Sequence, residues 1–181
     1  MKKKPSTAPS VRPLVILYGS YRGDGKKTLQ DFASFLCNRG INAYIVDDYD
    51  CGIPHEPGLD ASLACVEACD LAVFVFFTGE TINVDQHLEC FDQGPMIEFA
   101  YLCLCKKEKT AVQVVFETED RGSFSSSLLG QLVRKSPVLA KEKYPIDYPE
   151  IDGKTKEERL AAMKDEIRAF CVEEYSKRGV W

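Results

Sequence analysis

LVILYGSYRGDGKKTLQDF, residues 14–32, decides how the rest of the chain is read. Its first residues form a continuous apolar run, the pattern of a strand buried on both faces. The run breaks into Gly19, Ser20, Arg22, Gly23, Gly25, Lys26, Lys27 and Thr28. Apolar residues then return at Leu29, Phe32, Ala33, Phe35 and Leu36, the spacing of a helix over 27–39, with Gly40 as its stop. A strand, a tight basic glycine loop and a helix make a phosphate cradle, because the first N–H groups of a helix have no intrahelical partner and point at the loop.

The same alternation continues. Strands are expected over 41–46, 71–77 and 111–116, and a short fifth over 138–144. Helices are expected over 60–69, 95–107 and 125–135, with a long charged one over 154–177 whose apolar stripe is Leu160, Met163, Ile167, Phe170 and Cys171. Pro95 fits a first helical position. Alternating strands and helices predict an α/β fold: a doubly wound, flavodoxin- or Rossmann-like parallel sheet of four to five strands with a long C-terminal helix. The division expected is a basic disordered tail over 1–13, an α/β nucleotide-binding domain over 14–145, and a linker plus C-terminal helix over 146–181 packed on that domain. Ligands of such sheets bind beyond the carboxyl ends of the strands. That edge is made by 19–27, 47–58, 78–94 and 117–125.

The 181 residues fit one domain of ordinary size, and the net charge of −5 speaks against a general nucleic-acid binder. A small anion remains open to a local cluster such as Arg22, Lys26 and Lys27. No apolar run reaches the ~18 residues of a membrane helix, and residues 1–13 lack the apolar centre of a secretion signal. The eight cysteines are therefore expected as reduced thiols in a cytoplasmic protein. Cys65 and Cys69 lie one helical turn apart and Cys103 and Cys105 two residues apart; neither pair has zinc-knuckle spacing, so no metal and no cofactor is expected.

Three ligands compete for the loop. The tail of ATP requires G-x-x-x-x-G-K-[ST], whereas Ser20 and Lys27 stand where glycine and Ser/Thr are needed. A flavin phosphate is the second, since GSYR after a first strand looks like the start of flavodoxin-like flavin reductases. The third is a nucleotide 5′-phosphate, and it draws on a second stretch, DQGPMIEFAYLCLCKK. There Glu98 stands among Met96, Ile97, Phe99, Ala100 and Leu102 at a helix start, with Asp92 six residues before it. A carboxylate so placed can bind, act as a base or attack an electrophile, and two carboxylates at one edge suit cleavage of a glycosidic bond. The plain alternative is a helix-start charge at Glu98, a turn residue at Asp92, and Asp47 and Asp48 as a solvated strand end, where the functional reading has those two bind a ribose hydroxyl.

Asp92-x-Gly94-x-x-x-Glu98-x-Ala100 resembles the D-x-G-T-x-x-E-x-G motif of nucleoside deoxyribosyltransferases, with Pro95 in place of its threonine and Ala100 in place of its last glycine. CDLAVFVF resembles that family's aspartate-led third strand, which brings in Asp70. YGSYRGDG resembles the loop of the related nucleoside 5′-monophosphate N-glycosidases; the wider group includes TIR-like NAD-cleaving domains. The resemblance spans about 14–116. It implies an N-glycosidase or glycosyltransferase acting on a nucleotide or nucleoside. Glu98 would be the nucleophile, with Asp92 orienting the substrate or protonating the base. Gly19, Ser20, Arg22 and Gly23 would hold a 5′-phosphate, and Asp70 and Gly94 further contacts. Its partners would be that small molecule and, by the family's habit and the long C-terminal helix, a second copy in a homodimer. Residues 80–90 form an insertion, and with Pro95 they leave open a non-catalytic nucleotide-sensing or interaction module.

Overall fold

A computed structural model describes residues 12–21, 23–50, 59–77, 93–105, 110–116 and 155–181. In chain order these form β1 (Leu14–Gly19), α1 (Gly25–Cys37), β2 (Asn42–Ile45), a 3₁₀ turn (Val46–Asp48), α2 (Leu59–Ala68), β3 (Leu71–Phe76), α3 (Gln93–Cys105), β4 (Ala111–Phe116) and α4 (Lys156–Lys177). Among the described residues all strand pairings are parallel, in the order β2-β1-β3-β4. The fold is α/β with a long C-terminal helix, as the alternation of patterns predicts. The expected helix at 125–135, the fifth strand at 138–144 and the tail up to residue 11 lie outside the described residues.

Strand alternation divides the core into two layers. Ile16, Tyr18, Ala72, Phe74, Val112 and Val114 face α2 and α3, where they meet Cys65, Val66, Cys69, Phe99 and Leu102. Val15, Leu17, Val73, Val75, Ala111 and Val115 face α1 and α4, against Leu29, Phe32, Leu36, Met163, Ile167 and Cys171. Helices on both faces explain why β1 and β3 read as unbroken apolar runs.

Several ends move by one or two residues from their predicted places. α1 starts at Gly25, two residues early, because Asp24 is its N-cap and accepts the first turn's bond from Thr28 N–H at 2.9 Å. At its other end Gly40 takes φ +80° and Ile41 N–H reaches back to Leu36 O at 3.2 Å, so the stop signal works as expected. α3 begins at Gln93, which leaves Pro95 third in the helix; the missing N–H costs nothing in a first turn whose donors have no partner. α4 begins at Lys156 behind a capping box: Thr155 Oγ1 accepts from Glu158 N–H at 3.2 Å, and Glu158 Oε2 accepts from Thr155 N–H at 2.8 Å.

From β1 the chain crosses through α1 to β2 on one side, then returns to β3 on the other. The carboxyl ends of β1 and β3, where Gly19 pairs with Val75, therefore mark the switch point of the sheet.

Candidate functional site

The switch point opens on the β1–α1 loop. A Cβ on Gly19 would stand 2.9 Å from Val75 O and about 3.0 Å from Leu29 Cδ1, so glycine here lets strand, strand and helix close together. Ser20 follows, buried. Gly23 adopts φ +51° with nothing within 4 Å of where a side chain would go, a left-handed turn with an open side. Asp24 does not use its side chain as a cap and no acidic residue stands in the first turn of α1. The positive end of that helix is left facing the loop.

The end of β2 closes the other side of this loop. Tyr21 Oη accepts a hydrogen bond from Asp47 N–H at 3.4 Å. Lys26 Nζ donates to Asp47 Oδ2 at 2.6 Å and lies 5.3 Å from the centre of the Tyr21 ring. Gln30 Nε2, one turn further along α1, donates to Asp48 Oδ2 at 3.1 Å. The bond to Asp47 raises the Lys26 pKa.

α3 supplies the carboxylate. Glu98 is 8% exposed, next to fully buried Phe99, whose ring meets Phe74 edge-on at 5.1 Å. Phe74 in turn stacks on Tyr18 at 4.8 Å. The Tyr18 hydroxyl is buried without a hydrogen bond among the described residues. Burial, then the Cys69 and Cys65 thiols and the Glu98 carboxylate, push its pKa well up. Tyr21 is likewise raised, by burial first and then by Asp47, with Glu98 and Asp48 adding to it. Glu98 thus lies within electrostatic reach of tyrosines on both sides of Gly19–Ser20.

Of the residues expected from sequence, Gly19, Ser20, Gly23 and Glu98 gather at this edge, and Gly94 is the second residue of α3. Arg22 and Asp92 lie outside the described residues. Asp70 is not brought to them. It precedes β3 at the amino edge, where its Oδ2 accepts from Leu14 N–H at 2.8 Å and its Oδ1 pairs with Arg178 Nη1 at 3.3 Å. The length of β3 separates it from the switch point, and its role there is to pin the start of β1 to α4. Lys26 was read as part of a basic cluster and Asp47 as a strand-end acid, without their pairing, and Tyr18 and Tyr21 were not singled out. A tyrosine on each side of Gly19–Ser20, the first ending an otherwise aliphatic run, is the signal that would have marked them.

A surface depression lined by Arg12, Cys37, Gly40, Ile41 and Asn42 also lies at the amino edge, away from Glu98. Among the described residues no group of three or more His, Cys, Asp or Glu side chains could hold a metal ion, and no helix is long and apolar enough to cross a membrane.

No protein-family model matches the chain, and no curated protein matches it. Among solved structures it is similar to a 2-deoxyribosyltransferase from Bacillus psychrosaccharolyticus, with a TM-score of 0.41 and 10% identity over 59% of this chain and 74% of that one. At that distance the likeness carries no argument about chemistry, which has to come from the residues themselves.

Proposed function

We propose that this protein is an N-glycosidase or glycosyltransferase that cleaves the base–sugar bond of a nucleotide or nucleoside. The observation that supports it most is a carboxylate, Glu98, almost wholly withdrawn from water on an apolar helix, beside an uncapped glycine loop at the switch point. In this reading the 5′-phosphate lies on the β1–α1 loop, held by Ser20, Arg22 and the N–H groups from Gly23 into α1. The Glu98 carboxylate attacks C1′. The C1′–N bond breaks and its electron pair leaves with the base, which takes a proton from Asp92. Water, or a second base, then attacks C1′, passes its proton to the Asp92 carboxylate left by the first step, and frees the Glu98 carboxylate. The outward-facing Ile97 and Leu104 of α3 offer an apolar surface for the second copy of a homodimer.

The test is incubation of the purified chain with nucleosides, their 5′-monophosphates and NAD, with free base followed by chromatography. Wild type should release base and Glu98→Gln should not, with both melting at the same temperature. Arg22→Ala should raise the KM for a monophosphate at least tenfold and leave the bare nucleoside nearly unchanged. Base release by the Glu98→Gln protein at the wild-type rate would remove Glu98 from the reaction.

A further inference from the structure

The lysine best placed to meet a phosphate on this loop is already engaged. Lys26 is the second residue of α1, and side chains on a helix lean toward its N-terminus, so its ammonium reaches back over the open end of the helix. There it meets Asp47 at 2.6 Å, while Tyr21 supports both partners, its ring under Lys26 and its hydroxyl on Asp47 N–H. Both side chains of the pair keep about 40% of their surface in water (43% and 39%), so the pair is held loosely and can exchange. Among the described residues, Asp48 next to it accepts a hydrogen bond only from the neutral amide of Gln30. A single carboxylate therefore occupies the lysine that a ligand's phosphate would want.

We propose that Asp47 is a specificity-determining residue that acts as an internal stand-in for the ligand's phosphate: when a phosphorylated sugar enters the β1–α1 loop, Lys26 leaves Asp47 and pairs with the phosphate. The inference rests on the 5′-phosphate reading given above. Asp47 then sets how strongly the site prefers phosphorylated over unphosphorylated ligands. It also keeps the loop closed onto the end of β2 while the site is empty. Removing its charge frees Lys26 and takes away a negative neighbour of the incoming dianion, so binding of phosphorylated ligands tightens.

Ribose 5-phosphate and 2-deoxyribose 5-phosphate are suitable probes because neither carries a base to cleave, and ribose, deoxyribose and inorganic phosphate separate the contributions of sugar and phosphate. Titration calorimetry on the full chain compares wild type, Asp47→Asn, Asp48→Asn, Lys26→Met and the Lys26→Met/Asp47→Asn double variant. Thermal melting checks that each is folded. Asp47→Asn should tighten the sugar phosphates about threefold or more, the size of an exposed ion pair released, and leave ribose and deoxyribose unchanged. Asp48→Asn, with the same change in net charge, should give less than half that gain. Lys26→Met should weaken binding and abolish the gain in the double variant.

Equal gains in Asp47→Asn and Asp48→Asn would reduce the effect to net charge and overturn the exchange. Weaker binding of both sugar and sugar phosphate in Asp47→Asn would make Asp47 a direct ligand contact and overturn it as well. If wild type binds sugar phosphates and Asp47→Asn matches it, the exchange alone fails. If neither wild type nor Asp47→Asn binds any phosphorylated probe, the phosphate reading of the loop fails and the exchange goes with it.

Discussion

Two glycines of one loop are glycines for different reasons. Gly23 needs its hydrogen for a torsion, φ +51°, and has empty space around it. Gly19 needs its hydrogen for room: a methyl there would meet a main-chain carbonyl, Val75 O, at 2.9 Å, and both Leu29 methyls at about 3.0–3.1 Å. Leu29 can rotate, but Val75 O belongs to the neighbouring strand and can give way only if β1 and β3 part. Gly19→Ala should therefore destabilise the fold by about 1–3 kcal/mol, as overpacked cores do, read as a lower denaturation midpoint at unchanged slope. A stability within 0.5 kcal/mol or so of wild type, the range of a neutral surface change, would mean the junction is looser than these distances imply. The sequence marks both positions alike, as glycine in a turn. Only the packing separates the one that orders the sheet from the one that leaves an open side.

The helices show where local patterns suffice and where they stop. α4 combines Thr155 with Glu158 three residues on, the signature of a capping box, and both reciprocal bonds form. Thr155→Ala should cost about 1 kcal/mol and lower the melting temperature. Thr155→Ser, which keeps the hydroxyl, should restore most of it. The starts of α1, α3 and α4 were legible only to within two residues. Asp24 can cap as well as Lys27 can begin, and proline is tolerated anywhere in a first turn. Asp70 shows the other limit. An aspartate before a strand reads the same whether it meets a ligand or a neighbouring chain segment. What gives it a structural partner at the amino edge is Arg178, 108 residues away. Glu98, by contrast, stands out in the sequence as a charge on an otherwise apolar helix, and the structure buries it. Tyr21 was not, because its partners Asp47 and Lys26 lie on other elements.

Across the whole molecule, the C-terminal helix holds the edge of the sheet opposite the candidate site. Tyr175 Oη donates to Pro13 O at 2.5 Å and accepts from Asn42 N–H at 3.0 Å, while Arg178 grips Asp70. Burial keeps the Tyr175 hydroxyl protonated, its pKa pushed up from 10.0 to about 12, and raises the buried Cys171 thiol from 9.0 to about 12. Between pH 9 and 12 the folded chain therefore holds protons that the unfolded chain has released. Stability from these two groups is complete below that window and declines as pH rises through it. Melting temperature should fall steadily above pH 9, and Tyr175→Phe should flatten the part of the fall between 10 and 12. A melting temperature that stays level from pH 9 to 11 would show that neither group carries the effect. The same lock has a consequence for the order of folding. Tyr175 and Arg178 bind main-chain and side-chain groups at the starts of three separate strands, one of them 162 residues away in sequence. The seat for these two side chains exists only where those strands lie side by side, and the long loops that bring them together are slow to close. The C-terminal helix is thus expected to gain protection from hydrogen exchange later in refolding than β1 and β3, and simultaneous protection of all three would overturn that order.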